Sequence, residues 1–355
     1  MSQDRLPIAY RRREIARYAL AATVVIAAFG GVISSPAQAQ NAPSPNAKWS
    51  DILAAAKKEG KVTLYASLNP PVLDRVVAGF RKAYPEIAVE QLRAVASLST
   101  SRADQEKENG LDGADVMMNA EKMWFLKHAK AHALLKPVGP AATAWRSEYL
   151  EEGTVAMVGF GVIGIPYSTT QVKNPPQDFG DLLKPEFKDK IGMAGLVATF
   201  SVAWYDWLEK QQGSDYFVKL KAQNPKMYPG STGISQAISA GEIAVGNFTD
   251  TAATTPLIEQ GAPIGYVVPK GTLGYQNYAA VLGWAKRPNA ALVFLDYVMS
   301  REGQTIWHSK KDSASPLPDI PGSLDPKSIA VWNPADYPPE VAAKITERWN
   351  SIFKK

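Results

Sequence analysis

The sequence predicts an α/β protein with a parallel sheet, long enough for two lobes of ordinary size. Three observations lead there. Short apolar runs of strand length alternate with longer runs that are apolar at helical spacing. Their strand–helix–strand order joins parallel strands. Two long connections, near residues 150 and 245, can carry the chain between lobes.

Each element follows from local chemistry. Ser50 is placed to cap a helix over 51–59, which Gly60 stops. Val62-Thr63-Leu64-Tyr65-Ala66 is a compact strand. Pro70 and Pro71 open a helix with Leu73, Val76, Val77 and Phe80 on one face, and Pro85 ends it. Residues 87–92 form a second strand. A polar helix near 99–109, a strand over 114–118 and a helix over 121–135 make a third unit. Residues 154–166 read as one long apolar strand. A short helix and connection cover 178–191, and a helix rich in Trp and Tyr covers 201–212. A helix over 231–240, stopped by Gly241, leads into a strand over 242–248. A helix over 251–260 precedes a strand over 264–268. The helix over 289–300 carries Ala290, Val293, Phe294, Tyr297 and Val298 on its apolar face. Residues 314–339 are proline-rich, and a last helix spans 339–353.

The first 39 residues have the composition of a cleavable export signal. Arg11, Arg12, Arg13 and Arg17 form a positive region, residues 19–33 are apolar, and Ala37-Gln38-Ala39 is a small-x-small cleavage site. The apolar run of about 15 residues is shorter than the ~20 that cross a membrane. Arg12 and Arg13 also resemble a twin-arginine signal. About 316 of the 355 residues would remain, and the formal charge would fall from +5 to about +2. That balance gives no basic stripe for nucleic acid and no polybasic membrane patch. With no cysteine, there is no disulfide, thiolate metal site or thiol nucleophile.

Several stretches, taken in order, resemble the periplasmic solute-binding proteins of ABC importers, in the branch that contains the ferric-iron binders. They are Lys61-Val62-Thr63-Leu64-Tyr65-Ala66-Ser67, then Phe80-Arg81-Lys82-Ala83-Tyr84-Pro85-Glu86-Ile87, and Gly113-Ala114-Asp115-Val116. Residues 161–167 and 176–190 follow, with Phe179 where the family often has Trp. Gly241-Glu242-Ile243-Ala244-Val245-Gly246, Arg287-Pro288-Asn289-Ala290 and Met299-Ser300-Arg301-Glu302-Gly303-Gln304 complete the set. The resemblance implies a type II periplasmic binding protein: two α/β lobes, a hinge, and a ligand cleft that closes. It implies a small-molecule solute and an inner-membrane ABC permease with its ATPase as partners, with no cofactor, no catalytic residues and a monomeric state. The implied segments are a signal at 1–39, a flexible mature N-terminus at 40–47, lobe 1 at 48–153, crossover strands and lobe 2 at 154–248, a return to lobe 1 at 249–310, and a C-terminal segment at 311–355. By the local match, the adjacent tyrosines of ferric binders fall at Thr251 and Ala252, neither of which is a phenolate. This disfavours iron and leaves a small polar or anionic organic solute as the expected ligand. A ferric or metal-complex receptor is one alternative, and a secreted hydrolase is another.

Other motifs weaken on inspection. Gly159-Phe160-Gly161-Val162-Ile163-Gly164 spells G-x-G-x-x-G, but Pro166 follows and no helix starts there, as a dinucleotide site requires. His128 and His132 share a helix face, yet Ala129 stands where a zincin has Glu. His308 has no evident partner in sequence. The expected ligand contacts are therefore polar residues at strand ends and helix starts. Ser67 and Asn69 follow the first strand, and Asn119 follows the third. Thr199 and Ser201 stand before one helix, and Ser231 and Thr232 before another. Asp250 ends the return strand. Tyr275 and Asn277 are placed in a loop, and Tyr65 and Tyr275 are the candidate aromatic walls of the cleft. Each of these residue types also suits a cap, a turn or core packing.

Overall fold

A computed structural model describes residues 43–44, 47–196 and 198–354. The expected export signal lies outside them, as does most of the expected mature N-terminus.

The chain begins with α1 (Trp49–Glu59), β1 (Lys61–Ala66), α2 (Pro70–Ala83), β2 (Ala88–Arg93), α3 (Ala96–Glu108) and β3 (Val116–Asn119). It continues through α4 (Lys122–Lys130), β4 (Leu134–Leu135), α5 (Pro140–Ala144), β5 (Leu150–Glu151) and β6 (Val155–Gly161). Then come β7 (Ile163–Ser168), β8 (Ile191–Ala194), α6 (Thr199–Gln212), α7 (Tyr216–Ala222), β9 (Lys226–Tyr228), α8 (Ser231–Ser239), β10 (Val245–Asn247) and β11 (Thr249–Asp250). The rest is α9 (Thr251–Glu259), β12 (Ile264–Val267), β13 (Leu273–Leu282), α10 (Pro288–Met299), α11 (Arg301–His308), β14 (Ser313–Ala314), β15 (Ala330–Val331) and α12 (Pro339–Phe353).

These strands form two sheets. The first runs β14-β6-β13-β3-β1-β2, with β1, β2 and β3 parallel and β13 antiparallel to both β3 and β6. The second runs β11-β7-β10-β8-β9, with β12 on β7, and β8, β9 and β10 parallel. Each sheet has its own core. In the first lobe, Phe80, Phe294 and Tyr297 pack with centroids 4.9 and 5.6 Å from Phe80. Gly79 allows this approach, because a Cβ there would lie 2.3 Å from the Tyr297 hydroxyl. In the second lobe, Trp204 is fully buried against Phe179, Tyr205 and Phe248.

Several boundaries differ from the sequence reading. Ser50 does not cap α1; Lys48 holds the N-cap position without a side-chain bond, while Gly60 ends the helix with φ near 70° as expected. The helix expected over 121–135 stops at Lys130, because His132 takes positive φ and Leu134–Leu135 pairs with β13. The long strand expected over 154–166 is two strands, divided at Val162, one in each sheet. Residues 249–250 pair with Ile163 and Gly164, so the chain at 249, expected to return to lobe 1, is still in the second sheet. It reaches the first sheet only at β13, a ten-residue strand that sequence reading left as a loop.

Long-range caps tie the first lobe together. Glu59, at the end of α1, accepts hydrogen bonds from the Asn289 amide (3.2 Å), the Asn289 side chain (2.7 Å) and the Ala290 amide (2.6 Å) at the start of α10. A carboxylate on these first-turn amides serves orphan donors and complements the helix dipole. Glu59→Gln should lower stability by about 1 kcal/mol, read as a lower urea midpoint at unchanged m-value. An unchanged midpoint would show that the cap carries no net energy.

Candidate functional site

The parallel strands of each sheet end at the junction between the lobes. Open α/β sheets bind ligands outside the carboxyl ends of their strands. In lobe 1 those ends are Ala66, Arg93 and Asn119; in lobe 2 they are Ala194, Tyr228 and Asn247. The contact that joins the edges is Asp250, the residue before α9. Its carboxylate accepts from Asn69 Nδ2 (3.0 Å), the Tyr275 hydroxyl (2.5 Å) and the Ala252 amide (2.9 Å). The Asp250 amide donates to Ser231 Oγ at 3.0 Å, at the first residue of α8. Asp250 thus links the loop after β1 and the strand β13 through its carboxylate, and α8 of the other lobe through its backbone amide.

Burial pushes the Asp250 carboxyl up to about 6, with Tyr275, the Ala252 amide and Asn69 opposing that rise and Asp312 adding to it. The same enclosure, together with the Asp250 charge, holds the Tyr275 phenol well above its ordinary range. Tyr275 can lie across the crossover because Gly161 has no side chain: a Cβ there would sit 2.0 Å from the ring. Gly159 similarly admits His308, and Gly164 admits the Val267 carbonyl. The G-x-G-x-x-G run is therefore close packing at a crossover, with no phosphate-binding turn.

Aromatic rings continue the wall. Phe200, in the first turn of α6, meets Tyr275 at 5.1 Å, Trp332 at 5.7 Å and Phe248 at 6.0 Å. Thr199 and Thr232 are exposed in the first turns of α6 and α8. Ser67 is half-buried, with its amide on the Met118 carbonyl at 3.1 Å. Arg93 donates only through Nε, to the Leu68 carbonyl at 2.8 Å; among the described residues its Nη atoms have no partner.

The remaining expected contacts have structural duties. Tyr65 is buried on the α3 side of the sheet, where its hydroxyl donates to Glu106 at 2.6 Å and Arg102 lies over its ring. Burial and Glu106 push its phenol up to about 12. Asn119 is fully buried and accepts from the Glu121 amide at 2.9 Å. Ser201 is buried and closes the first turn of α6 against Ala198. Asn277 is buried within β13, so neither it nor Tyr275 lies in a loop. Of the expected set, the structure brings Asn69, Ser231, Asp250 and Tyr275 together. Sequence reading missed Arg93, Phe200 and Trp332. Arg93 carried a signal, as a cation at the end of a parallel strand; Trp332 carried none, since its segment is proline-rich and irregular.

The chemistry on offer is recognition. Among the described residues one Ser–His hydrogen bond occurs, between His308 Nδ1 and Ser313 Oγ at 2.8 Å, but both residues are buried and burial pushes the imidazole down to about 3. Thr251 and Ala252, the positions of the ferric dyad, are also interior: Thr251 Oγ1 donates to the Asp312 carbonyl at 2.7 Å. Among the described residues, no group of three or more His, Asp or Glu could hold a metal ion.

Comparison with known proteins agrees with this architecture. The substrate-binding protein of an Agrobacterium tumefaciens ABC transporter shares 19% identity, with a TM-score of 0.70 over 84% of this chain and 97% of that one. Iron-bound HitA from Pseudomonas aeruginosa shares 18% identity, with a TM-score of 0.63 over 82% and 99%. AfuA from Actinobacillus pleuropneumoniae, with fructose-6-phosphate bound, shares 19% identity and a TM-score of 0.63 over 83% and 99%. At these identities the likeness is one of fold: a type II periplasmic binding protein with two lobes. The model of the bacterial extracellular solute-binding proteins matches residues 61–310, most of the chain, and the protein belongs to that family.

Proposed function

We propose that this protein captures a small polar or anionic organic solute between its lobes and delivers it to an ABC permease in the inner membrane. The observation that carries the reading is the Asp250 hub, which joins the carboxyl edge of the first sheet to α8 of the second lobe at the crossover. A solute seated there touches both lobes and stabilises the closed arrangement. Hydroxyls at Ser67, Thr199 and Thr232, the free Arg93 Nη atoms and the Phe200–Tyr275 wall suit a polar organic ligand. The arginine-rich, apolar N-terminus with Ala37-Gln38-Ala39 supports export to the periplasm.

A thermal-shift panel tests this. It should hold carboxylates, phosphonates, sugar phosphates, amino acids, polyamines and ferric citrate. A true ligand at a hundredfold excess over Kd stabilises by about 2.7 kcal/mol, and small-angle scattering should then show a smaller radius of gyration. A panel with no shift and no compaction would defeat the proposal. A shift with ferric citrate alone would favour the metal-complex receptor.

A further inference from the structure

We infer that the solute carries both an anionic and a cationic group, held in lobe 1 by Arg93 at one flank and Glu121 at the other. This rests on the solute-binding reading above and narrows its substrate class. The argument starts from the sheet. β1 lies between β2 and β3, all three parallel and in register, with Ala66 opposite both Arg93 and Met118. Neighbouring strands are about 4.8 Å apart, so the ends of β2 and β3 stand about 10 Å apart. The loop of Ser67 and Asn69 rises between them and meets Asp250 at the lobe junction. Arg93 ends β2 on one side of that loop. Glu121, two residues past the end of β3, stands on the other.

Both are charges without a counter-charge. Arg93 is exposed and fixed by one bond, Nε to the Leu68 carbonyl, which anchors the guanidinium beside the loop and leaves its Nη edge open. That edge is the planar fork that suits a carboxylate or phosphonate. Glu121 is half-buried, and its backbone is fixed by the Asn119 side chain at 2.9 Å. Its carboxylate has no hydrogen-bond or ion-pair partner among the described residues, and burial alone shifts its acidity, upward. The adjacent cation does not serve it: Lys122 pairs with Glu151 at 2.7 Å. A half-buried carboxylate with no partner in the protein is poorly solvated, and a ligand ammonium would supply the missing counter-charge. Asp250, across the junction, already accepts three hydrogen bonds, whereas the Glu121 carboxylate has none among the described residues. A simple anion would satisfy Arg93 and leave Glu121 without a counter-charge; a simple cation would do the reverse.

The test uses the mature chain and three matched series: ω-amino acids of increasing length, the corresponding carboxylic acids and the corresponding alkylamines. Titration calorimetry is expected to show binding of an ω-amino acid of one preferred length, with its matching acid and amine each weaker by at least about tenfold. Glu121→Gln, nearly isosteric, should weaken that amino acid at least about tenfold and leave the weak binding of the matching acid unchanged. Arg93→Ala should weaken the amino acid and the acid alike. Circular dichroism melts of the unliganded variants separate these effects from misfolding. The inference is overturned if the acids bind as tightly as the amino acids, or if Glu121→Gln binds like wild type. It is also overturned if the three series fail while another member of the wider panel binds, and solute binding then stands. If no solute of any class binds, both readings fall.

Discussion

Asp250→Ala is expected to destabilise the folded protein by about 3 kcal/mol at pH 5. The substitution removes the cap on α9, worth about 1 kcal/mol, and leaves the Tyr275 hydroxyl and the Asn69 amide without an acceptor, at about 1 kcal/mol for each of these half-buried donors. The cost should shrink as pH rises, and the sign follows from linkage. Burial holds the carboxyl at about 6, above its ordinary value of 3.8, so between those values the folded state binds more protons than the unfolded one. This group's favourable contribution is complete below about pH 4 and is lost as pH rises through 6, up to roughly 3 kcal/mol in all. Asp250→Asn keeps an oxygen for the Ala252 amide and carries no charge to bury. Its own amide can donate to the Tyr275 hydroxyl, and the Asn69 side chain can turn its oxygen inward. Near pH 7.5 it should therefore match or exceed wild type, with a flatter pH profile. Urea midpoints from pH 4 to 8 decide this; parallel profiles for wild type and Asp250→Asn would remove Asp250 as the titrating group.

Arg287→Leu is expected to cost about 3–5 kcal/mol, because it strands a buried carboxylate. Arg287 is 8% exposed and donates to Asp115 through Nε at 2.7 Å and to Asp112 through both Nη atoms at 2.9 and 2.6 Å. Asp112 and Asp115 hold its guanidinium above its ordinary range, and it in turn holds Asp112 below the usual carboxylate range. Asp115 has no exposed surface. It accepts from the Thr63 amide of β1 at 2.8 Å and from the Lys286 and Arg287 amides at 3.0 and 3.1 Å. These bonds remain after the substitution, but the charge they surround loses its cation. Asp115→Asn in the Arg287→Leu background should recover part of the loss, since Asn keeps an acceptor and carries no buried charge. If the double variant were no more stable than Arg287→Leu, lost packing of the arginine stem would be the dominant cause.

The local elements were legible because their signals are local. Gly60, the Pro70–Pro71 pair and the helical spacing of Leu73, Val76, Val77 and Phe80 act within one or two turns, and α1, β1 and α2 form where they point. Half of the site was legible for the same reason: Asn69, Ser231 and Asp250 sit where a strand ends or a helix starts, and polar groups there meet the junction. Tyr275 and Asn277, expected in a loop, lie in a strand, and only Tyr275 reaches Asp250. Their strand, β13, pairs with partners more than a hundred residues away, at Gly161 and Asn119. Nothing inside Leu273-Gly274-Tyr275-Gln276-Asn277-Tyr278 announces that pairing. Tyr65 was misplaced because alternation along a strand states that two faces exist without stating which one meets the cleft. By itself the sequence determined the α/β alternation, the near-neutral charge of the chain beyond the expected signal and the family's ordered motifs. The tertiary structure alone decided that Val162 divides two sheets, that the glycines at 159, 161 and 164 exist to be packed against, and that one residue, Asp250, gathers bonds from the loop after β1, from β13 and from α8. Such choices depend on which surfaces bury each other, and that is settled only when the whole chain has folded.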